Sequence, residues 1–441
     1  MRTVVVGAGR SGLAAARFLA AQGMPVVLTD LRSSPDAELE RELARAGIPG
    51  VWGDHPLVLL DECTEVVASP GIPRTAPFLA EALRRGIPVV GEVEVAHRHL
   101  RRSGTGRVLA VTGTNGKSTT TDLTAHLLRA SGRPAVACGN LGLPFLEAVQ
   151  HAAPDTVFVV ELSSYQLESV QAFRADAAAF LNLTEDHLAR HGTMDTYRRT
   201  KLRVFERQGA GDLRVVPAAH PEWWQDAPGA APSARFGWSP CEAWCAGDGL
   251  LYLEGEVLLP RTDLRIPGDH NVENALAAAL LARHAGASRD GLRAGLRSYP
   301  GLAHRMVLCG ERGGVRAYND SKGTNVDATL TAIHALPGPL VLLLGGTDKG
   351  ASYAPLRAAL AGKLRRLIFL GEAIPQLVRD LGDLPHEVVP AFDAAVQTAL
   401  DLAQPGDQVL LSPACASFDQ FANFEQRGDH FESLIQAWSA S

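Results

Sequence analysis

The chain has few lysines, no long apolar run and no excess of basic residues. Only five of its 42 basic residues are lysines, and they stand at positions 117, 201, 322, 349 and 363. Because arginine supplies nearly every generic positive charge, a lysine that is kept points to a role for a compact charge or a reactive amine. The net charge of −6 argues against a nucleic-acid-binding surface. No apolar run reaches the roughly eighteen residues of a membrane span.

Cysteine pairing and a secretion signal are also missing. The six cysteines are scattered, and only Cys241 and Cys245 are near each other, without a second pair at a zinc-ligand spacing. Free thiols in a reducing compartment are therefore expected. The first residues, MRTVVVGAGRSG, begin a buried-strand pattern and lack the charged and apolar regions of a signal peptide. We expect a cytoplasmic monomer that does not insert into a membrane.

The order of apolar runs predicts three α/β domains. Short runs rich in Val and Ile end in Gly or Asp and alternate with helical patterns, as in βαβ units with parallel sheets. We place the domains at 1–98, 99–300 and 301–441, with the polar stretch HRHLRRSGTGR as a linker between the first two. The stretch from about 213 to 265 gives no clear assignment. We expect Rossmann-like folds at both ends and a P-loop ATPase-like fold in the centre.

A glycine-rich turn follows the first apolar strand. Gly7-Ala8-Gly9-Arg10-Ser11-Gly12 matches G-x-G-x-x-G at the start of a helix, and Asp30 ends the next strand. This context favours a dinucleotide such as NAD, because the glycines let a diphosphate approach the helix N-terminus. The same turn can hold the diphosphate of another nucleotide, including a UDP-sugar. Both interpretations remain open from these residues alone.

A second glycine-rich turn predicts ATP binding. Gly113-Thr114-Asn115-Gly116-Lys117-Ser118 lies between the apolar strand VLAVT and a helix, although Val111 stands where the strict P-loop pattern has its first glycine. In such a loop the backbone N–H groups surround the phosphates, the lysine reaches them and the serine hydroxyl can bind Mg²⁺.

Three further polar residues follow or accompany this loop. Glu161 ends the strand TVFVVE and His187 follows the next strand, and the ends of parallel strands are where α/β sheets bind ligands. With Ser118 they form a plausible donor set for Mg²⁺. Lys201 lies on an arginine-rich helical pattern that composition alone would assign to a solvated face. Near the C-terminus, Phe418, Phe421 and Phe424 fit a helical stripe, after a Ser-Pro-Ala-Cys-Ala-Ser segment that could bind an anion.

Taken together, these motifs resemble the Mur ligases, which are ATP-dependent amide-bond ligases, and most closely their D-glutamate-adding branch. The resemblance covers nearly the whole chain. It rests on the motifs at 113–118, 161–168, 182–187, 200–203, 304–305, 319–325 and 412–428. The segments at 69–73 and 412–428 point to the D-glutamate branch.

The resemblance implies a role for each matching residue. The residues implied to hold ATP are Gly113, Thr114, Asn115, Gly116, Lys117, Ser118, Thr119, Asn271, Asn274, Arg305 and Asp320. Those implied to hold the UDP-sugar are Ser11, Asp30, Arg32, Gly71, Asn140 and Ser163. The implied D-glutamate residues are Lys322, Thr324, Lys349, Ser417 and Phe424. Two Mg²⁺ ions are implied, with Ser118, Glu161, His187 and a carbamylated Lys201 as ligands, and the implied catalytic residues are Lys117, Glu161, His187 and Lys201.

The implied reaction joins D-glutamate to UDP-N-acetylmuramoyl-L-alanine through an acyl phosphate, in the synthesis of peptidoglycan precursors. We expect domain closure about a hinge near Tyr299-Pro-Gly301. The alternatives are a nicotinamide oxidoreductase, a non-catalytic nucleotide-binding module, and a neighbouring ligase that adds L-alanine or extends folylpolyglutamate.

Overall fold

The computed structural model describes residues 2–150, 152–348, 350 and 352–440. They form two compact units, one of residues 1–264 and 270–299 and the other of residues 265–269 and 300–441. Within the described residues, no helix is long and apolar enough to cross a membrane. Lys349, which the resemblance assigns to the amino-acid pocket, lies outside the described residues.

The first sheet begins with the valine-rich strand at the N-terminus. Its strands are β1 (Arg2–Val6), β2 (Val26–Asp30), β3 (Gly50–Trp52), β4 (Cys63–Ala68) and β5 (Val89–Val90), and its helices are α1 (Arg10–Ala21), α2 (Ala37–Arg45), α3 (Pro77–Arg84) and α4 (Glu92–Ser103). The strands are parallel in the order β3-β2-β1-β4-β5. Val4, Val5 and Val6 are fully buried because helices cover both faces of the sheet.

Helix α4 occupies most of the stretch that its composition marked as a linker. Its buried carboxylate Glu94 accepts hydrogen bonds from the backbone N–H groups of Gln171, Ala172 and Phe173 at 2.9 to 3.1 Å. Its His97 Nε2 accepts one from the N–H of Arg174 at 3.2 Å. The linker prediction was wrong. These side chains accept hydrogen bonds from the backbone of a loop in the next domain, so the helix packs against that domain instead of running through solvent.

The central sheet is the largest of the three. Its strands are β6 (Arg107–Thr112), β7 (Ala135–Gly139), β8 (Val157–Glu161), β9 (Ala177–Phe180), β10 (Leu213–Pro217), β11 (Ser233–Gly237), β12 (Ala243–Cys245), β13 (Leu250–Leu253) and β14 (Glu256–Pro260). Its helices are α5 (Lys117–Ala130), α6 (Phe145–Gln150), α7 (Ser164–Leu167), α8 (Leu188–His191), α9 (Met194–Leu202), α10 (Asp269–His284) and α11 (Arg289–Ser298). The order is β14-β13-β12-β11-β10-β9-β6-β8-β7, with antiparallel pairing only where β13 joins β12 and β14.

The third sheet repeats the α/β arrangement, with parallel pairing except where the edge strand β15 pairs antiparallel with β16. Its strands are β15 (Val307–Arg312), β16 (Val315–Asn319), β17 (Leu340–Gly345), β18 (Leu364–Leu370), β19 (His386–Val388) and β20 (Gln408–Leu411), in the order β15-β16-β20-β17-β18-β19. Its helices are α12 (Val326–Ala335), α13 (Leu356–Leu360), α14 (Ile374–Leu381), α15 (Phe392–Leu402) and α16 (Phe424–Ala440). Short 3-10 turns at Leu57–Leu60, Arg203–Phe205, Pro221–Trp223 and Arg261–Asp263 complete the chain.

The aromatic residues near the C-terminus do not form a helical stripe. Helix α16 begins only at Phe424, and Phe418 lies before it with 72% of its surface exposed. Phe421 packs edge-on against Phe392 with ring centroids 4.9 Å apart. The spacing of the three phenylalanines matches a helical period, but the helix starts after two of them. Asn423 caps it, because its Oδ1 accepts from the N–H of Gln426 at 2.7 Å, and this cap fixes the start of the helix.

Candidate active site

The phosphate-binding loop connects β6 to α5. Gly116 has a φ of +78° at the N-cap of α5, and a Cβ there would lie 2.3 Å from the Oδ1 of Asn274. The position therefore requires glycine both for its backbone conformation and for its space. Asn274 also accepts a hydrogen bond from Thr120 at 3.2 Å and donates to Asn271 at 3.1 Å. Two of the predicted ATP residues, both on α10, thus lie directly behind the loop.

The side chain of Asn182 holds the same loop from the other side. Its Oδ1 accepts from the backbone N–H groups of Thr114 at 3.1 Å and Asn115 at 2.8 Å, and its Nδ2 donates to the carbonyl of Asn115 at 3.1 Å. The hydroxyl of Thr114 lies 3.3 Å from that of Tyr197. Neither Asn182 nor Tyr197 was among the predicted site residues, although Asn182 belongs to a motif that we noted.

Two of the scarce lysines meet at the carbonyl of Gly113. Lys117 donates to it at 3.0 Å and to the carbonyl of Thr114 at 2.6 Å, while Lys201 donates to it at 2.6 Å. Lys201 is only 1% exposed, and its Nζ lies 4.6 Å from the centre of the Tyr197 ring. Burial, followed by the neighbouring charge of Lys117, holds the pKa of Lys201 well below its ordinary value. Lys201 is therefore not on a solvated helix face.

Glu161 ends β8 with an incompletely satisfied carboxylate. It is 2% exposed, and its Oε1 accepts from the side chain of Asn140 at 2.7 Å. Its Oε2 is buried and has no hydrogen-bond partner among the described residues. A buried carboxylate oxygen without a donor is costly unless a cation or another donor reaches it.

His187 is held in an unusual backbone conformation beside the hydroxyl of Tyr165. Its φ is +54°, and its Nδ1 lies 3.1 Å from the hydroxyl of Tyr165, which leaves Nε2 3.3 Å from a carboxylate oxygen of Asp186. Burial lowers the pKa of His187, against the opposite effect of Asp186, so the imidazole tends towards its neutral form. A neutral imidazole is the form that binds a metal ion.

A cavity of about 600 Å³ connects the two glycine-rich turns. From the first domain it is lined by Gly9, Arg10, Ser11, Ser69, Pro70 and Gly71. From the central domain it is lined by Lys117, Asn140, Ser163, Ser164, Tyr165, His187, Tyr197 and Lys201. Four of the predicted UDP-sugar residues therefore share one cavity with three of the predicted catalytic residues.

The other two predicted UDP-sugar residues support the first turn but do not line that cavity. The carboxylate of Asp30 accepts from the backbone N–H of Ala8, and from both the backbone N–H and the Nε of Arg32 at 2.9 and 3.1 Å. Arg32 also donates to the carbonyl of Ala8 at 3.2 Å. Although burial acts to raise the pKa of Asp30, the hydrogen bonds from Arg32 and Ala8 hold it below its ordinary value.

In the other unit, Asp320, Lys322 and Thr324 follow β16 and Ser417 follows β20, whereas Arg305 precedes β15 and Phe424 begins α16. Asp320 is buried and accepts from the Ser412 hydroxyl at 2.7 Å, and burial raises its pKa to about 6. The Nζ of Lys322 lies 5.7 Å from the centre of the Phe424 ring. Ser417 is 2% exposed. Because β16 and β20 are parallel neighbours, the loops that follow them lie at the same edge of the sheet.

The sequence matches three family descriptions in order. Residues 1–91 match the Mur ligase MurD-like N-terminal domain, 111–282 the Mur ligase middle domain, and 304–415 the Mur ligase glutamate ligase domain. A UDP-N-acetylmuramoylalanine–D-glutamate ligase of Solibacter usitatus is 40% identical over 99% of this chain and 97% of its own length. A protein of the same name from Anaeromyxobacter dehalogenans is 42% identical over 98% and 97%. The chain belongs to the Mur ligase family.

The fold agrees with solved Mur ligases. The UDP-N-acetylmuramate–alanine ligase MurC of Thermotoga maritima aligns with 99% of this chain and 100% of its own, with a TM-score of 0.60 and 17% identity. At this identity the likeness concerns the fold alone. It supports the three α/β sheets and the P-loop ATPase-like centre.

Mur ligases are ATP-dependent and typically use Mg²⁺, and the residues of this chain fit that ion. Among the described residues, no three His, Cys, Asp or Glu side chains are grouped so that they alone could hold a metal. Magnesium does not need such a group, because it keeps waters and binds phosphate oxygens beside one or two carboxylates. The unpartnered Oε2 of Glu161 and the hydroxyl of Ser118 at the start of α5 are donors of the required kind.

Proposed function

We propose that this chain joins D-glutamate to UDP-N-acetylmuramoyl-L-alanine with the conversion of ATP to ADP and phosphate. The shared cavity is the observation that carries the proposal, since a UDP-sugar on the first turn can extend its carboxylate towards a nucleotide on the second. The full-length similarity to D-glutamate ligases supports the same substrates. The nicotinamide alternative leaves the second turn and its lysines without a function.

The chemistry begins with a carboxylate, which is a poor acylating agent. A carboxylate oxygen of the alanyl group attacks the γ-phosphorus of ATP, the bond to the bridging oxygen breaks, and ADP leaves. The acyl phosphate is then attacked by the amine of D-glutamate. The resulting tetrahedral intermediate expels phosphate to give the amide, and the amine proton passes to a base. His187 is one candidate for this base, although metal binding would occupy its Nε2.

Lys117, Ser118, Glu161 and His187 form the proposed phosphate and metal site. Lys117 now bonds to two loop carbonyls at 3.0 and 2.6 Å, and we propose that it turns to the ATP phosphates when they bind. Mg²⁺, proposed as two ions, would offset negative charge on the phosphate oxygens. The nucleotide site in this unit would be completed by Thr114, Asn115, Thr119, Asn271 and Asn274. In the other unit, the proposed ATP residues are Arg305 and Asp320.

Lys201 is proposed to carry a carbamate. Carbamylation needs the neutral amine, whose lone pair attacks the carbon of CO₂, and the new N–C bond forms as a proton is lost to water. Burial and the charge of Lys117 favour this neutral form. The product is an anionic oxygen donor beside the phosphate loop, where a lysine cation would repel Lys117.

The remaining assignments are also proposals. The residues proposed to bind the UDP-sugar are Ser11, Asp30, Arg32, Gly71, Asn140 and Ser163. Those proposed to bind D-glutamate are Lys322, Thr324, Lys349, Ser417 and Phe424. We propose domains at 1–98, 99–300 and 301–441, where the first boundary falls inside α4. We also propose a cytoplasmic monomer that binds no nucleic acid.

The test is phosphate release from ATP and Mg²⁺ with UDP-N-acetylmuramoyl-L-alanine and, in separate assays, D-Glu, L-Glu, L-Lys and L-Ala. We expect release only with D-Glu, accompanied by the amide product in mass spectra. Turnover with another amino acid would keep the ligase but overturn the amino-acid assignment. Silence with all four, together with NADH binding, would favour an oxidoreductase.

A further inference from the structure

Arg427 is a fully buried cation in the first turn of α16. It is 1% exposed, and among the described residues its guanidinium forms no ion pair with a carboxylate within 4.0 Å, although the charges of Asp419 and Asp320 act on it from farther away. Burial lowers its pKa to about 10, so it stays protonated at neutral pH. A buried charge that no carboxylate contacts directly is unfavourable, and chains retain one when it has a structural or functional role.

Its hydrogen bonds go to two loops. The Nε donates to the hydroxyl of Ser321 at 2.9 Å, and one terminal nitrogen donates to the carbonyl of Ser321 at 2.9 Å and that of Cys415 at 3.2 Å. The other terminal nitrogen donates to the carbonyl of Ala416 at 3.2 Å. The planar guanidinium therefore connects the loop after β16 to the loop after β20.

The neighbouring contacts extend this connection to the start of α16. The Ser321 hydroxyl that accepts from Arg427 donates to the carbonyl of Phe424 at 2.8 Å. The N–H of Ala414 donates to the carbonyl of Gly323 at 2.8 Å. The three connected segments carry four of the proposed D-glutamate residues. Positions 322, 324 and 417 lie within three residues of an Arg427 contact, and Phe424 lies three residues before Arg427 itself.

We infer that Arg427 is a positioning residue for the amino-acid substrate, because it fixes the segments that present Lys322, Thr324, Ser417 and Phe424. The inference rests on the proposed function, since it takes the D-glutamate pocket as given. Its buried positive charge also suits a pocket for an amino acid with two carboxylates. Arg427 itself is not proposed to touch the substrate.

The test compares Arg427→Met, Arg427→Lys and a matched control. Arg214 is also buried, donates to the carbonyls of Pro228 and Gly229 at 2.9 and 3.3 Å, and lies in the central sheet. Arg214→Met should therefore lower the melting temperature without changing the KM for D-Glu. In Arg427→Met we expect this KM to rise about 10- to 100-fold, because small displacements of positioning groups have effects of that size. Arg427→Lys, which keeps the charge, should give an intermediate KM.

A partial reaction separates the inference from the proposed function. Hydroxylamine can trap the acyl phosphate in the absence of D-Glu, and we expect hydroxamate formation and the KM for ATP to stay within about twofold in both Arg427 variants. An unchanged KM for D-Glu in a folded Arg427 variant would overturn the inference alone. Equal losses in hydroxamate formation and amide formation would also overturn it. If Arg427→Met does not fold, Arg427→Lys decides. No hydroxamate with the unaltered chain would mean that the proposed function has failed.

Discussion

At the scale of single residues, the phosphate loop depends on a side chain outside it. Asn182 makes three hydrogen bonds to the backbone of Thr114 and Asn115, which orient two N–H groups of the loop. Because Asn182 takes up those two N–H groups, the bonds hold the loop in shape, so that the other N–H groups of the loop can meet phosphate in a fixed geometry. The amide is suited to this task because it accepts and donates within one planar group.

We therefore predict that Asn182→Ala raises the KM for ATP roughly tenfold and lowers kcat, while the Kd for UDP-N-acetylmuramoyl-L-alanine stays within about twofold. Steady-state phosphate release and calorimetric binding of the UDP-sugar measure the two quantities. Ser288→Ala serves as the comparison, because it removes the side-chain cap of α11, which accepts from the N–H of Gly291 at 3.1 Å, and lies outside the predicted site. A UDP-sugar affinity that falls as much as the ATP affinity would show a general loss of structure instead.

Lys201 allows a second residue-scale prediction. Lys201→Arg keeps a positive charge but cannot form a carbamate, so we expect at least a hundredfold loss of kcat with the fold retained. Lys363→Arg is the control, since Lys363 donates to the carbonyls of Ile333 and Leu336 at 3.1 and 2.7 Å, a role that arginine can fill. Activity of Lys201→Arg near that of the unaltered chain would contradict the carbamate.

The site residues differ in how far the sequence could predict them. Lys117 and Ser118 are predicted by the order of strand, glycine-rich turn and helix. The scarcity of lysine singles out Lys201 without any knowledge of its burial. Asn182 and Arg427 lie within motifs of the resemblance, but neither gave a signal for its own role, because an asparagine after a strand and an arginine in an arginine-rich chain are common. Their importance arises from bonds across long sequence separations, which local patterns do not encode.

At the scale of elements, α4 joins the first two sheets through buried ionisable groups. Glu92 accepts from the backbone N–H of Leu146 in α6, and burial raises its pKa from an ordinary value of 4.5 to about 7. The folded chain thus holds a proton between about pH 4.5 and 7 that the unfolded chain has lost. Stability must therefore fall as the pH rises through that window, by up to about 3 kcal/mol.

We predict that Glu92→Gln stabilises the protein increasingly from pH 5 to pH 8, measured as the urea-denaturation midpoint of the full chain. Glu94→Gln, on the same helix, should instead destabilise the protein by a nearly constant amount from pH 5 to pH 8, and this loss should shrink only below the ordinary pKa of 4.5. Burial acts to raise the pKa of Glu94, but hydrogen bonds from Gln171 and Ala172 and the charge of Arg98 hold it below its ordinary value. Its contribution is therefore present at neutral pH and is lost as the pH falls through the folded pKa. A parallel pH response of the two variants would contradict this assignment.

Periodicity predicted the elements whose burial follows a simple pattern. The apolar runs at Val157–Glu161 and Leu340–Gly345 were predicted to be strands, and both are buried strands inside their sheets. The segment from 213 to 265 was not assigned, because its strands are short and partly exposed: Ala243–Cys245 has three residues, and Glu256 and Val257 of β14 are both exposed. These strands extend one edge of the central sheet, and such pairing depends on the rest of the fold and not on the local sequence.

At the scale of the whole molecule, the three sheets form two compact units. The first unit contains both glycine-rich turns and the cavity that connects them, with α4 hydrogen-bonded to the central domain. The chain passes from this unit to the second after residues 264 and 299, and returns at residue 270. The segment 265–269 belongs to the second unit, and a Cβ added at Gly301 would stand 3.2 Å from the side chain of its Ile266.

This division predicts that a fragment ending at Tyr299 folds and binds the UDP-sugar. It keeps both sheets of the first unit, and the short segment 265–269 is its only part that belongs to the second. We expect cooperative urea unfolding, and a Kd for UDP-N-acetylmuramoyl-L-alanine within about threefold of that of the full chain. No amide should form on addition of ATP and D-Glu, because Lys322, Thr324 and Ser417 are absent. Ser11→Trp in the same fragment should block binding, since Ser11 lines the cavity. A fragment that unfolds without a cooperative transition would mean that the first unit depends on the second for its stability.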